Sequence, residues 1–208
     1  MNLNDFNDLL ESKRQEITDW MNLKRSEIPI PIYGSVDVRD AGWKIAVVDA
    51  NHFPAGFNNV ASEDEKHLAA LLKNHIKRRD KSCSWVHLYP ESHTRNAAYV
   101  ENLTTLQRLI ERAGFRCTVG SPELAEHGSI DGLSGPLKLD VVELREIDGE
   151  QNIVIDGFSP DLILLNNDLT EGIVPGLGTG RVSPPPVMGW HSRKLSLIHI
   201  SEPTRPID

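Results

Sequence analysis

The chain has 208 residues, with 22 basic against 30 acidic side chains and a formal net charge of -8. That balance repels phosphate backbones and anionic lipid headgroups, which argues against a nucleic-acid reader or a membrane-surface protein. No apolar run approaches the roughly 20 residues that span a bilayer, and MNLNDFNDLL lacks the basic and apolar regions of a secretion signal, so a cytoplasmic location is expected. The length suffices for a sizeable core in one or two domains. The two cysteines, Cys83 and Cys117, form no CxxC pair and read as reduced structural thiols.

In chain order, Leu3, Phe6, Leu9, Leu10, Ile17, Trp20 and Met21 recur at near-helical spacing and predict an amphipathic helix within residues 1–27. Pro29 and Pro31 then impose extended backbone. Ile45 to Val48 is an apolar run without alternation, expected as a parallel strand buried on both faces and covered by helices. Beyond it the chain turns abruptly polar, with Asp49, Asn51, His52, Gly56, Asn58 and Asn59 close together. Ser62 with Glu65 reads as a capping box ahead of a helix carrying Leu68, Leu71, Leu72 and Ile76. The strand CSWVHLY (83–89) follows, then the loop PESHTRN (90–96), then a helix with Val100, Leu103, Leu106, Leu109 and Ile110 on one side. Gly114 is placed to stop that helix before a further strand, FRCTVG. This alternation predicts βαβ units in a parallel sheet, a Rossmann-like α/β domain over 28–174.

After residue 120 the pattern changes. LDVVELREIDGEQNIVIDG reads as a β-hairpin turning at Asp148-Gly149, expected as a decoration at the sheet's edge. PDLILLNND (160–168) is expected as a central strand beside the first one. Residues 175–194 are a Gly/Pro-rich connection; their GLGTG lacks the flanking strand, helix and Lys-Ser/Thr of a phosphate loop. LSLIHISEPTR is the translation of the transposon-end adapter used in sequencing-library preparation. Residues 195–208 are therefore read as a non-native tail, and the natural gene as cut short there.

In open α/β sheets ligands bind at the carboxyl edge of the strands. Three strand tips carry polar clusters: Asp49, Asn51, Asn58 and Asn59; His93, Arg95 and Asn96; and Asn166, Asn167 and Asp168. If the strands are parallel the clusters converge into a rim suited to a small zwitterion such as an amino acid. The plainer alternative makes Asn96 a helix cap and Asn58 and Asn59 turn residues. His87, inside a strand, is expected to be packed. No residue set for a zinc hydrolase or serine hydrolase is present.

PIYGSVDVRDAGWKIAVVDANHFPAGFNN, PESHTRNAAYVENL, AGFRCTVGS, PDLILLNNDLTEG and PPPVMGWHSRK together resemble the proteobacterial glutamate-cysteine ligase family first described in acidophilic iron-oxidising bacteria. The resemblance spans most of residues 28–194. It implies the Rossmann-like half that precedes an ATP-grasp-type domain, and a ligase using ATP and Mg²⁺ to join glutamate and cysteine through a γ-glutamyl phosphate, the first step of glutathione synthesis. It also implies that Arg95, with His93 and Asn96, grips a substrate carboxylate, that Asn166, Asn167 and Asp168 orient the ammonium or a neighbouring loop, and that Asn51, Asn58 and Asn59 line the same pocket; Arg193 either faces phosphate or carboxylate or forms a solvated basic pair with Lys194. The catalytic residues and the ATP and Mg²⁺ ligands are expected in a missing carboxyl part, so this chain is expected to be inactive. The oligomeric state is left open. A non-catalytic amino-acid binding module and a nucleotide-sugar transferase remain the alternatives.

Overall fold

The structure, a computed structural model, describes residues 3–28, 31–92, 96–170, 172–178 and 180–189. They fall into two compact units, one ending at Asn51 and the other beginning at His52. The division lies inside the segment 28–174 expected as a single domain.

In the first unit the N-terminal helix forms as two pieces, α1 (Leu3–Ser12) and α2 (Arg14–Glu27). The break is a local distortion at Lys13 (φ -106°, ψ 5°), across which Lys13 N still donates to Leu9 O and Ile17 N to Lys13 O. Exposed i,i+3 ion pairs, Glu11–Arg14, Lys13–Glu16 and Lys24–Glu27, flank the break and the helix end. Each adds only about 0.2–0.5 kcal/mol.

The strand expected at Ile45–Val48 does form, as part of β2 (Ile45–Asn51). Its partner is β1 (Ser35–Asp40), in an antiparallel hairpin with a bulge at Asp37/Val38. It is therefore not a strand of the parallel sheet, and Ile45, Val47 and Val48 are exposed. An apolar β-branched run states a preference for extended backbone but not which strand it pairs with.

The second unit contains α3 (Glu65–Arg79), β3 (Trp85–Pro90), α4 (Ala97–Arg112), β4 (Arg116–Val119), the short hairpin β5 (Ser129–Asp131) and β6 (Pro136–Lys138), the hairpin β7 (Val142–Ile147) and β8 (Glu150–Ile155), β9 (Leu162–Asn166) and β10 (Val182–Ser183). Its sheet has four parallel strands in the order β10-β9-β3-β4. The PDLILLNND strand is central as expected, but its neighbours are β3 and β10 rather than the first strand. The free edge of β4 is occupied by Asp140, whose carboxylate accepts from Val119 N (2.9 Å) and whose N–H donates to Val119 O (2.8 Å).

The sheet's two faces are covered by different materials. Val86, Leu88, Leu162 and Leu164 alternate toward the side on which α4 packs, with α3 against α4. The apolar stripe of α4 is fully buried there. The helix ends in a Schellman motif, Gly114 N donating to Glu111 O and Phe115 N to Ile110 O, with Gly114 at φ +94°. On the other side Trp85, Tyr89, Ile163 and Leu165 share one apolar cluster with Val142, Ile153 and Ile155 of the β7–β8 hairpin. That hairpin, which turns at Asp148-Gly149 as expected, is thus a covering layer of the sheet and not an edge decoration. Its six-residue strands give it enough apolar length to do so.

The capping box does not form. Helix α3 starts at Glu65 without a side-chain cap, and the Glu65 carboxylate is held instead by Arg108 (2.8 Å) and Arg112 (3.2 Å) of α4. Two guanidinium partners outcompete one backbone N–H. Cys83 and Cys117 are free thiols, pushed up by burial, Cys83 to about 11, which keeps them unreactive.

Two consequences are measurable. Gly176 in GLGTG has φ +89°, and a β-carbon there would lie 2.9 Å from Leu144 Cδ2 and 3.1 Å from Ile153 Cγ1. Gly176→Ala should therefore cost about 1–3 kcal/mol in urea unfolding; an unchanged midpoint would contradict this packing.

His87 is packed as expected, and its hydrogen bonds define its tautomer. Trp85 Nε1–H donates to Thr118 Oγ1 (2.9 Å), the Thr118 hydroxyl donates to His87 Nδ1 (3.0 Å), and His87 Nε2–H donates to Gly120 O (3.0 Å). Burial pushes the imidazole down to about 4, against a smaller upward pull from the Gly120 carbonyl. The neutral ring contributes its full stability above the unfolded value near 6.5, and loses it as pH falls from there through 4, because the unfolded chain takes up the proton first. The loss amounts to about 3 kcal/mol. The urea midpoint should fall across this window, and His87→Gln should flatten the fall; equal slopes in the two proteins would refute it.

Candidate functional site

Because β9, β3 and β4 are parallel neighbours, their carboxyl ends stand side by side. Strand β9 runs out into Asn166, Asn167 and Asp168, and β3 into Pro90 and Glu91. After β4 the chain passes through Gly120 and Ser121 to Glu123 in the 3₁₀ turn Pro122–Leu124. The loop from Phe53 joins this edge through the 3₁₀ turn Phe57–Asn59, which packs on α4.

A buried hydrogen-bond network ties these segments together. Asn102 of α4, fully buried, accepts from Phe57 N through Oδ1 (3.0 Å) and donates through Nδ2 to Asn166 Oδ1 (3.1 Å). Asn166 Nδ2 donates to Pro54 O (2.9 Å), so the two asparagines hold the 54–57 backbone at both ends. The Tyr99 hydroxyl, one turn earlier on α4, donates to Asn166 O (2.8 Å) and accepts from Glu91 N (2.8 Å). Asn167 Nδ2 donates to Pro90 O (3.1 Å), and its Oδ1 accepts from Leu169 N (2.8 Å). Tyr89, pushed up by burial and by the neighbouring carboxylate, donates to Glu123 at 3.1 Å.

The residues singled out from the sequence separate into five groups. Asn166 and Asn167 are at the rim, with their amides engaged in holding it; Asp168 beside them is half-buried. Asn58 and Asn59 lie on the turn that Asn102 anchors, Asn58 half-buried and Asn59 exposed. Asn96 caps α4, accepting from Ala98 N (3.1 Å) and Tyr99 N (3.4 Å). Asp49 and Asn51 belong to the β1–β2 hairpin of the other unit, where Asp49 is paired with Asp37 and Asn51 with Ser35. The third tip of the sheet edge is therefore that of β4, with Ser121 and Glu123, and not that of the first strand. His93, Arg95 and Arg193 lie outside the described residues.

Tyr99, Asn102 and Glu123 had not been singled out. Their signal is present: Asn96, Tyr99, Asn102 and Thr105 recur every third residue, a polar line on a helix whose other buried positions are aliphatic.

The half-buried Asn58, Asp168 and Glu91, with the exposed Asn59 and Glu123, give the edge amide groups able to bond a carboxylate and carboxylates able to bond an ammonium. Among the described residues no three His, Cys, Asp or Glu side chains are grouped to hold a metal ion. Gly176, the first glycine of GLGTG, is packed against the hairpin. A cavity of about 220 Å³ lies elsewhere, lined by Trp20, Met21, Lys24, Arg25 and Ile28. All five come from α2 and its C-cap, so it is a helix surface rather than a formed pocket. No helix among the described residues is long and apolar enough to cross a membrane.

Against this geometry, the family profile described as "GshA: Glutamate-cysteine ligase" matches residues 7–201. The chain belongs to the glutamate-cysteine ligase family. A crystal structure from Methylobacillus flagellatus KT, of a protein provisionally named gamma-glutamylcysteine synthetase, is similar at 32% identity with a TM-score of 0.77. The match covers 90% of this chain and 44% of that one, so the chain spans less than half the length of this solved relative. No curated protein matches the chain.

The asparagine network makes a direct prediction for this ligase-family chain. Asn102→Leu removes the acceptor for Phe57 N–H and the donor to Asn166 Oδ1, at about 1–3 kcal/mol each. Amide exchange at Phe57 should accelerate together with the loss of stability. Lost stability with Phe57 still fully protected would show that Asn102 does not anchor the turn.

Proposed function

We propose that this chain is the amino-acid-binding part of a cytoplasmic, ATP-dependent glutamate-cysteine ligase that forms γ-glutamylcysteine. The observation that carries the reading is the family match over residues 7–201 on a chain whose parallel strands end in a shared edge of amides and carboxylates. ATP with Mg²⁺ would supply the phosphoryl group that makes an oxygen of the glutamate γ-carboxylate a leaving group.

This chain's own part is binding and orientation. The carboxylates of Glu91, Glu123 and Asp168 attract a substrate ammonium, and the amides of Asn58 and Asn59 serve the substrate's polar groups, while Asn167 orients the neighbouring loop. Asn102, Asn166 and Tyr99 hold these elements in register, so that a bound amino acid meets a rim already set rather than one that must be ordered on binding. Arg95, with His93 and Asn96, is assigned to the substrate carboxylate, and Arg193 to phosphate or carboxylate. Residues 195–208 are a non-native tail, and the ligands of ATP and Mg²⁺ belong to a further domain of ATP-grasp type. The 44% share of the solved relative that the chain spans supports that division.

Incubating the purified chain with glutamate, cysteine and Mg-ATP should yield no γ-glutamylcysteine, while calorimetry should detect glutamate or cysteine. Turnover would overturn the division of labour. Failure to bind either amino acid would overturn the role of the rim, and binding of a UDP-sugar instead would favour a transferase.

A further inference from the structure

The β1–β2 hairpin has one apolar and one polar face, and the apolar face is exposed. The register Val36↔Ala50, Val38↔Val47 and Asp40↔Ile45 places Val36, Val38, Ile45, Val47 and Ala50 on the same side, with Asp40 at the end of that face. Asp37, Arg39 and Asp49 lie on the other. Val36, Val38, Ile45 and Val47 are 57, 55, 47 and 52% exposed, and Trp43 in the connecting turn is 78% exposed. Antiparallel strands that alternate in this way normally bury their apolar side. A two-stranded hairpin with nothing on that side is marginal in water.

The solved relative is similar over 90% of this chain, and the match takes up 44% of the relative's own length. More than half of that longer protein therefore lies outside the part the two share. We propose that the Val36–Val38–Ile45–Val47 face, with Trp43 at its end, is the seat on which the unshared part of a longer family protein docks through an apolar surface. The area favours this occupant over a second copy of the chain. The five side chains expose roughly a few hundred Å² of apolar surface, short of the ~800 Å² per partner that separate molecules need for stable association. A covalently connected domain is held at high effective concentration and needs less. The proposal concerns packing alone and stands whether or not the sheet edge binds an amino acid.

The test places charge on the face in two settings. Val38→Asp/Val47→Asp is made in this chain and at the aligned positions of the full-length Methylobacillus protein, and each is followed by thermal unfolding and light scattering. In this chain Tm should stay within about 2 °C and the molecular mass should not change. In the full-length relative Tm should fall by about 5 °C or more. Asp37→Asn, on the polar face, should leave Tm unchanged in both. Should the charged variant fail to fold in this chain, Val38→Thr/Val47→Thr preserves the branched shape and should give the same contrast with smaller amplitude. Equal Tm in variant and parent of the relative would overturn the proposal. So would a dimer of this chain that the substitution converts to monomer, which would make a second copy the occupant.

Discussion

The end of a parallel sheet is where backbone pairing stops while the chain is still buried, and its polar groups there must find other partners. Here the side-chain amides of Asn102 and Asn166 meet that requirement. Their hydrogen bonds reach Phe57 N–H and the Pro54 carbonyl, and Tyr99 adds Glu91 N–H and the Asn166 carbonyl. An asparagine offers a donor and an acceptor in one rigid plane, so each can serve two segments at once. Replacing either by an aliphatic residue of similar size would retain the packing and remove these bonds to the backbone. The polar edge exists because this buried network forces a loop, a helix and two strand tips to end together.

The sheet itself tolerates two very different covers. Helix α4 presents aliphatic residues at i, i+3 and i+4 to one face, while the β7–β8 hairpin presents Val142, Ile153 and Ile155 to the other. Both satisfy the same condition, an apolar layer over Val, Leu and Ile side chains that alternate through the sheet. The hairpin accomplishes this with few residues, and Gly176 lets the following loop lie flat against it. The local chemistry of β3 fits this arrangement: Trp85 and His87 point to the hairpin side and find polar partners in Thr118 and Gly120, so no donor of either ring is stranded in the core.

Much of this was legible in the sequence, for identifiable reasons. The α4 stripe, Gly114 and the Asp148-Gly149 turn are local signals, in which periodicity or a positive φ demands particular residues within a few positions. Strand partners are not local. LILLNND reads as a central strand from its own composition, yet nothing in it distinguishes β10 from β2 as its neighbour. The Ser62/Glu65 pattern failed because Arg108 and Arg112, more than forty positions away, claimed the carboxylate. At the site, Asn166 and Asn167 were found as polar residues closing an apolar run. Asn102 is less legible, because the polar line of Tyr99, Asn102 and Thr105 is interleaved with the aliphatic stripe of α4 and its partners lie in segments far away in the chain.

The first strand shows most clearly where such reading stops. IAVV reads as buried on both faces because it does not alternate, but Val48 is the residue added by the bulge opposite Asp37 and Val38. With that residue set aside, Ile45, Val47 and Ala50 alternate cleanly against Ala46 and Asp49, the pattern of a strand covered on one side only. A bulge shifts the phase of the alternation by one, and an unbroken apolar run is what a one-sided strand looks like when the shift falls inside it. The misreading of the strand's place in the fold and the exposure of its apolar face thus have a common origin. The sequence carries the code of a hairpin with one apolar and one polar face.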